Sequence, residues 1–200
     1  MDRRQHGHAS LHGAFERAET YDRVTRWQFR HLYKRVAADV AKGGFPAEAR
    51  VLDVGTGPGR VPIAIAKAAP ALRVEGIDLS ENMIKRAREN AGPSEQVRFA
   101  VGDVANLPYE DDSFDLIVSS MSQHHWPEVE AGMRELRRVL RPTGEAWIYD
   151  VRFALSRADK AARSAFPDHL VRTELVRTSW LPVRLIGRVV IRPNRTQAQA

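Results

Sequence analysis

The stretch VLDVGTGPGR, residues 51–60, sets a carboxylate, Asp53, directly before a loop of alternating glycines. Without a Cβ to hold it off, such a backbone can lie close against a ligand. Dinucleotide loops space their glycines as GxGxxG and seat a pyrophosphate on a helix N-terminus. Here the spacing is GxGxG, and Asp53 would repel a phosphate, so a cationic ligand suits the loop better. The same carboxylate could instead cap amides of its own loop.

Other acids stand at comparable places. Asp78 lies 19 residues beyond Gly59, at the end of LRVEGID, where an acid can accept both hydroxyls of a ribose or cap the helix that follows. Asp103 opens DVANLPYEDDSFD, as a ligand contact or as a turn-forming Asp. The segment SQHHWPE offers His124 or His125 as a general base, or simply a shaped loop.

The elements that must position these residues follow from periodicity. Val24, Trp27, Leu32, Val36 and Val40 recur at helical spacing between Phe15 and Lys42, ahead of the breaker Gly43-Gly44. RVLDV then reads as a strand and VPIAIAKAA as a helix that tolerates Pro62 in its first turn. LRVEGID is a second strand, Ser80 an N-cap, and ENMIKRAREN a helix with Met83, Ile84 and Ala87 inward. VRFAVGD, FDLIVSS and GEAWIYD are further strands, and PEVEAGMRELRRVL a helix closed by Arg141-Pro142-Thr143-Gly144. Strands alternating with helices predict parallel βαβ units in a doubly wound α/β sheet. In such sheets ligands sit outside the carboxyl ends of the strands, and Asp53, Asp78, Asp103 and Asp150 stand at four of five such ends.

Composition narrows the chemistry. With no cysteine among 200 residues, thiolate nucleophiles, disulfide redox centres, thiolate zinc sites and iron–sulfur clusters are excluded. No apolar run is long enough to span a membrane, and the basic start MDRRQHGHAS lacks the apolar core of a signal peptide, so a cytoplasmic chain is expected. Residues 152–200 carry ten Arg/Lys against three Asp/Glu, whereas the first 151 residues are nearly balanced. That basic quarter reads either as a footprint for an acidic partner or as a solvated, arginine-rich face.

Four ordered stretches, VLDVGTGPGR, GIDLSENMI, VGDVANLPYEDDSFDLIVSSMSQHHW and ELRRVLRPTGE, together resemble the motifs of class I S-adenosylmethionine-dependent methyltransferases, in the broad small-molecule group. The resemblance spans residues 45–151 and implies a Rossmann-like seven-stranded sheet with its last strand antiparallel and helices on both faces. It divides the chain into an N-terminal helical lid, 1–44, and a cofactor-binding domain, 45–200, whose short cap and final strands occupy 152–192. It implies S-adenosyl-L-methionine as cofactor, with Gly55 and Gly57 along the methionine part, Thr56 in the same loop, and Asp53 near the ammonium group. Asp78 would hold the ribose, Leu79 and Met83 would lie beside the adenine, and Asp103 and the Val104 amide would meet the adenine ring. Ser119 and Ser120 would border the methionine moiety, and Tyr21 resembles tyrosines that close over the cofactor in related enzymes.

The acceptor is not written in these motifs. No DPPY or NPPY follows the fourth strand, against amino-methylation of nucleic-acid bases, and without cysteine a thiolate-dependent pyrimidine mechanism is impossible. A small-molecule O or N acceptor is therefore expected, with no specific nucleic acid, no metal, and a monomer or homodimer. The alternatives are an RNA- or protein-modifying enzyme that uses the basic C-terminal quarter, and a nonenzymatic cofactor-binding module. The last strand pair is expected in TELVRTSWL and VRLIGRVVIR, and residues 152–172 hold no recognisable motif.

Overall fold

A computed structural model describes residues 29–178 and 185–194. Tyr21, Val24, Trp27 and most of the expected N-terminal lid lie outside these residues. Seven strands form one sheet in the order β3-β2-β1-β4-β5-β7-β6: β1 Arg50–Val54, β2 Arg73–Asp78, β3 Val97–Val101, β4 Phe114–Ser120, β5 Leu140–Val151, β6 His169–Leu175 and β7 Ile186–Pro193. The first five run parallel and β7 runs antiparallel to both β5 and β6. The helices are α1 Arg30–Ala41, α2 Arg60–Ala68, α3 Glu81–Ala91, α4 Val129–Val139 and α5 Leu155–Ala165. Among the described residues no helix is long and apolar enough to cross a membrane.

The near-continuous apolar runs of the central strands follow from burial on both faces. Leu52, Val54, Ile117 and Ile148 pack with Val129, Met133, Leu136, Leu155 and Ala158 of α4 and α5. Val51, Val74, Leu116, Val118 and Trp147 pack on the other face with Leu32, Val36, Val40, Val61 and Ile65 of α1 and α2. Met83, Ile84 and Ala87 of α3 are buried as their spacing predicts, and the Ser80 hydroxyl caps that helix by accepting the Met83 amide at 3.4 Å.

Several boundaries differ from expectation: the strand expected in TELVRTSWL instead runs from His169 to Leu175, where pairing with β7 fixes it. The strand expected from Gly144 begins already at Leu140, paired with Phe114, so Arg141-Pro142-Thr143-Gly144 lies within β5, and a register shift absorbs the segment before Leu116 pairs Glu145. A Cβ on Gly144 would lie 3.0 Å from the Asp115 carbonyl, a tight contact that the absence of a side chain relieves. The motif-less segment 152–172 contains α5, whose inward face is Leu155, Ala158, Ala161 and Ala162. An alanine face carries a faint hydrophobic signal, which hides such a helix from periodicity.

Part of the C-terminal basicity anchors the sheet edge. Arg188 pairs with Asp39 at 3.2 Å and with Glu174, and it donates to the buried Tyr149 hydroxyl at 2.8 Å. Arg192 pairs with Glu145, Arg163 with Asp159, and Arg157 with Glu130 at 3.8 Å.

Candidate active site

The first four parallel strands and β5 deliver their carboxyl ends to one rim, and the glycine loop crosses it. Gly55 and Thr56 both donate their amides to the Ile77 carbonyl at 2.9 Å, which ties the loop after β1 to the end of β2. Gly57 donates its amide to Asp78 Oδ2 at 2.8 Å, and Ser80 donates to Oδ1 at 2.9 Å. Asp78 therefore does cap local amides, while each of its oxygens keeps a second lone pair for a ligand. Burial, first of all, raises its pKa, and these two amides act the other way. Gly102 donates to the Asp78 carbonyl at 3.0 Å, which brings the start of the Asp103 loop alongside.

Two glycines of the loop have distinct reasons. Gly57 has φ +52° and open space where a Cβ would stand, so its bare backbone faces the rim. Gly55 has φ +71°, and a Cβ there would stand 1.7 Å from Ser122 Oγ, so the loops after β1 and β4 meet at this residue. Met121 takes φ +54°, uncommon for a non-glycine residue, and turns the chain from β4 into the helical turn Gln123–His125.

Asp53 is 1% exposed and its Oδ1 has no hydrogen-bond partner. Burial pushes its carboxyl up to about 7, and the Asp78 charge adds to the rise. The neighbouring Thr56 hydroxyl acts downward, although Thr56 Oγ1 itself makes no well-formed hydrogen bond. The folded pKa lies above the unfolded one, so this acid costs nothing below about pH 4, and its cost grows as pH rises to about 7 and is fully present above it. Asp53→Asn should accordingly gain stability relative to the parent protein across that window, by a few kcal/mol, on the order of 1.4 kcal/mol for each pH unit crossed. Denaturant unfolding of both proteins at pH 4.5 and pH 8 checks this. A difference independent of pH would mean that Asp53 is charged throughout.

The remaining candidates fall around this centre. Ser119 and Gln123 are buried, and their Oγ and Oε1, like Ser120 Oγ, lack partners. Leu79 is 68% exposed and presents an apolar surface beside Asp78, whereas Met83 is 1% exposed, within the buried face of α3. Asp103 is exposed; it accepts the Ala105 amide at 2.9 Å and forms a local turn with Asn106, the turn-forming alternative of its sequence reading. Val104 is half-buried against the core near Trp126.

His124 gains a partner that its own segment does not announce. Its Nδ1 lies 2.8 Å from Asp150 Oδ1 and 2.9 Å from Oδ2, and its backbone amide donates to Oδ2 at 3.1 Å. Asp150 is fully buried at the end of β5, and the Val151 amide also donates to it, at 2.8 Å. The His124 side chain keeps 26% exposure. With Nδ1–H donated to the carboxylate, the Nε2 lone pair is the basic one. His125 packs its ring on His124 with centroids 3.9 Å apart, and burial lowers its pKa, with the His124 charge acting in the same direction. The sequence signal for Asp150 is its place as a strand-end acid; Ser122 and Gln123 had none.

Five of the eight buried, unpartnered side-chain polar atoms among the described residues belong to Asp53, Thr56, Ser119, Ser120 and Gln123. Buried polar groups are normally hydrogen-bonded, so such a concentration at one rim marks capacity reserved for a ligand. The groups suit the ammonium, carboxylate and hydroxyls of S-adenosylmethionine. No cluster of His, Asp or Glu among the described residues could hold a metal ion.

Residues 51–144 match the family model described as a methyltransferase domain. A demethylmenaquinone methyltransferase of Staphylococcus aureus is 34% identical over 140 residues, which cover 67% of this chain and 57% of that protein. The YcgJ protein from Bacillus subtilis matches at 25% identity and a TM-score of 0.57, over 69% of each chain. A putative S-adenosylmethionine-dependent methyltransferase from Methanococcus maripaludis, at 20% identity, matches in fold over 90% of this chain and 93% of its own with a TM-score of 0.68. The chain belongs to the class I S-adenosylmethionine-dependent methyltransferases, whose cofactor is S-adenosyl-L-methionine. It spans little more than half the length of the curated relative it matches.

Proposed function

We propose that this protein transfers the methyl group of S-adenosylmethionine to an oxygen of a small-molecule acceptor, with His124 as general base and Asp150 as the residue that positions it. The observation that carries the reading is the His124 Nδ1–Asp150 contact at 2.8 Å, on the same rim as the unpartnered Asp53, Thr56, Ser119, Ser120 and Gln123. The cofactor supplies a methyl group already activated by its sulfonium. The chain has to align the acceptor in line with the methyl–sulfur bond and remove its proton. When bound, the cofactor would supply its methyl group to the acceptor oxygen and leave as a thioether, and His124 Nε2 would take the acceptor proton. Asp150 fixes the tautomer and stabilises the imidazolium that forms.

Asp53, Gly55, Thr56, Gly57, Ser119 and Ser120 would receive the amino-acid end of the cofactor, Asp78 the ribose, and Leu79, Asp103 and Val104 the adenine. Met83 would act only by supporting that wall. The name of the S. aureus relative likewise specifies a small-molecule acceptor, demethylmenaquinone. The basic quarter gives less support to an RNA-modifying role, because Arg157, Arg163, Arg188 and Arg192 are already paired with carboxylates.

Calorimetry tests the cofactor half. S-adenosylmethionine and S-adenosylhomocysteine should bind in the micromolar range and NAD should not, since Asp53 disfavours a phosphate at the glycine loop. Binding near pH 7 should release protons, because a cationic amino group beside Asp53 favours its ionised form. NAD binding without sulfonium binding would refute the site. Mass-spectrometric detection of methylated phenols or enols, against amines of matched size, tests the acceptor half.

A further inference from the structure

The carboxyl end of β5 carries an apolar patch that the cofactor site does not use. Phe153, three residues beyond Asp150, is 83% exposed, and Leu185 is 67% exposed. The two stand at the same strand end: Phe153 follows Arg152, whose amide donates to the Leu185 carbonyl at 3.0 Å, continuing the register in which Val151 pairs with Ile186. The row extends to β6, where the Val176 amide donates to Ile186, so Arg177 follows on the far side of Leu185. Arg152 and Arg177 are both exposed, and neither guanidinium pairs with a carboxylate among the described residues. Arg163, Arg188 and Arg192, by contrast, are held by Asp159, Asp39, Glu174 and Glu145.

From this placement we infer that the Phe153–Leu185 rim docks on an anionic lipid surface. The aromatic ring and the leucine enter the interfacial layer, and Arg152 and Arg177 meet lipid phosphates. Apolar side chains alone would suit several partners, but guanidinium groups without a carboxylate partner on either side of Leu185 match a surface that is negative in the plane and apolar below. The same rim bears His124 and Asp150, so docking turns the acceptor side of the site toward the bilayer. Binding of this kind does not require methyl transfer, and the two readings can fail separately.

The test is flotation of the full chain with vesicles of phosphatidylcholine alone and of phosphatidylcholine mixed with phosphatidylglycerol. The parent protein should float with the mixed vesicles, much less with phosphatidylcholine, and less again as salt is raised. Phe153→Ser, alone and with Leu185→Ser, should lower the partition coefficient by about tenfold or more, the scale of one large apolar side chain leaving an interface. Arg152→Glu with Arg177→Glu should remove the preference for phosphatidylglycerol. S-adenosylhomocysteine affinity, unchanged in every variant, shows that the fold and the cofactor site persist. Absence of flotation with the mixed vesicles, or flotation indifferent to these substitutions, overturns the proposal. A dimer in gel filtration that Phe153→Ser dissociates, without vesicle binding, overturns it in favour of a second copy of the chain.

Discussion

Replacing His124 by alanine is expected to lower kcat by about 10²- to 10⁴-fold on an oxygen acceptor, the range that a positioned base contributes. The affinity for S-adenosylhomocysteine should not change, because the ring's hydrogen bond goes to Asp150 rather than to a cofactor-facing candidate. Asp150→Asn keeps the shape of the buried residue and loses its charge. An amide can still accept Nδ1–H through its oxygen, but it no longer stabilises an imidazolium, so kcat should fall while the cofactor affinity and the acceptor KM stay close to those of the parent protein. Amine acceptors separate the possibilities further: a neutral amine attacks with its own lone pair, and its methylation should be far less sensitive to either substitution. The base assignment is abandoned if His124→Ala keeps more than about a tenth of the parent kcat on its best oxygen acceptor, since that loss is smaller than a general base accounts for.

Asp78→Ala should weaken S-adenosylhomocysteine binding by about 1–3 kcal/mol, roughly 5- to 150-fold, through two connected losses. The carboxylate would no longer accept hydroxyls of the ribose. The Gly57 amide, which it holds at 2.8 Å, would be released, so the loop that must lie against the cofactor would no longer be preorganised. Asp78→Asn should fall between, because its carbonyl oxygen can keep one of the two amide contacts. Calorimetry with S-adenosylhomocysteine measures both, with circular dichroism to show that each variant is folded. Folded Asp78→Ala with affinity within about threefold of the parent protein would remove Asp78 from the cofactor site, well below the loss of a charge-assisted hydrogen bond.

The alternation of apolar strands with amphipathic helices determined the α/β class, because parallel strands buried on both faces read as near-continuous apolar runs set between helices that cover those faces. The glycine loop, the acids at the strand ends and the histidine pair were legible for a related reason: in this topology the carboxyl ends of strands necessarily meet at one rim, whatever the details of packing. The sequence also showed the helix holding Met83, Ile84 and Ala87 and its Ser80 cap, since both depend on contacts within a few residues. It missed α5, whose alanine face is too weakly apolar to register, and it started the fifth strand at Gly144 rather than Leu140, because the pairing of Leu140 with Phe114 lies outside any local window.

Only the tertiary structure decided what each acid does. Asp78 and Asp103 find amides of the chain itself, Asp150 finds His124 across 26 residues of sequence, and Asp53 alone is left with an unpartnered oxygen in full burial. Composition could not apportion the arginines either: Arg188 is locked among Asp39, Tyr149 and Glu174, while Arg152 and Arg177 stand open beside Phe153 and Leu185. The physical reason is common to both cases. A charge announces its chemistry in the sequence, but its pKa and its partner depend on desolvation and on neighbours within a few ångströms, and those neighbours arrive from distant strands only when the sheet is assembled.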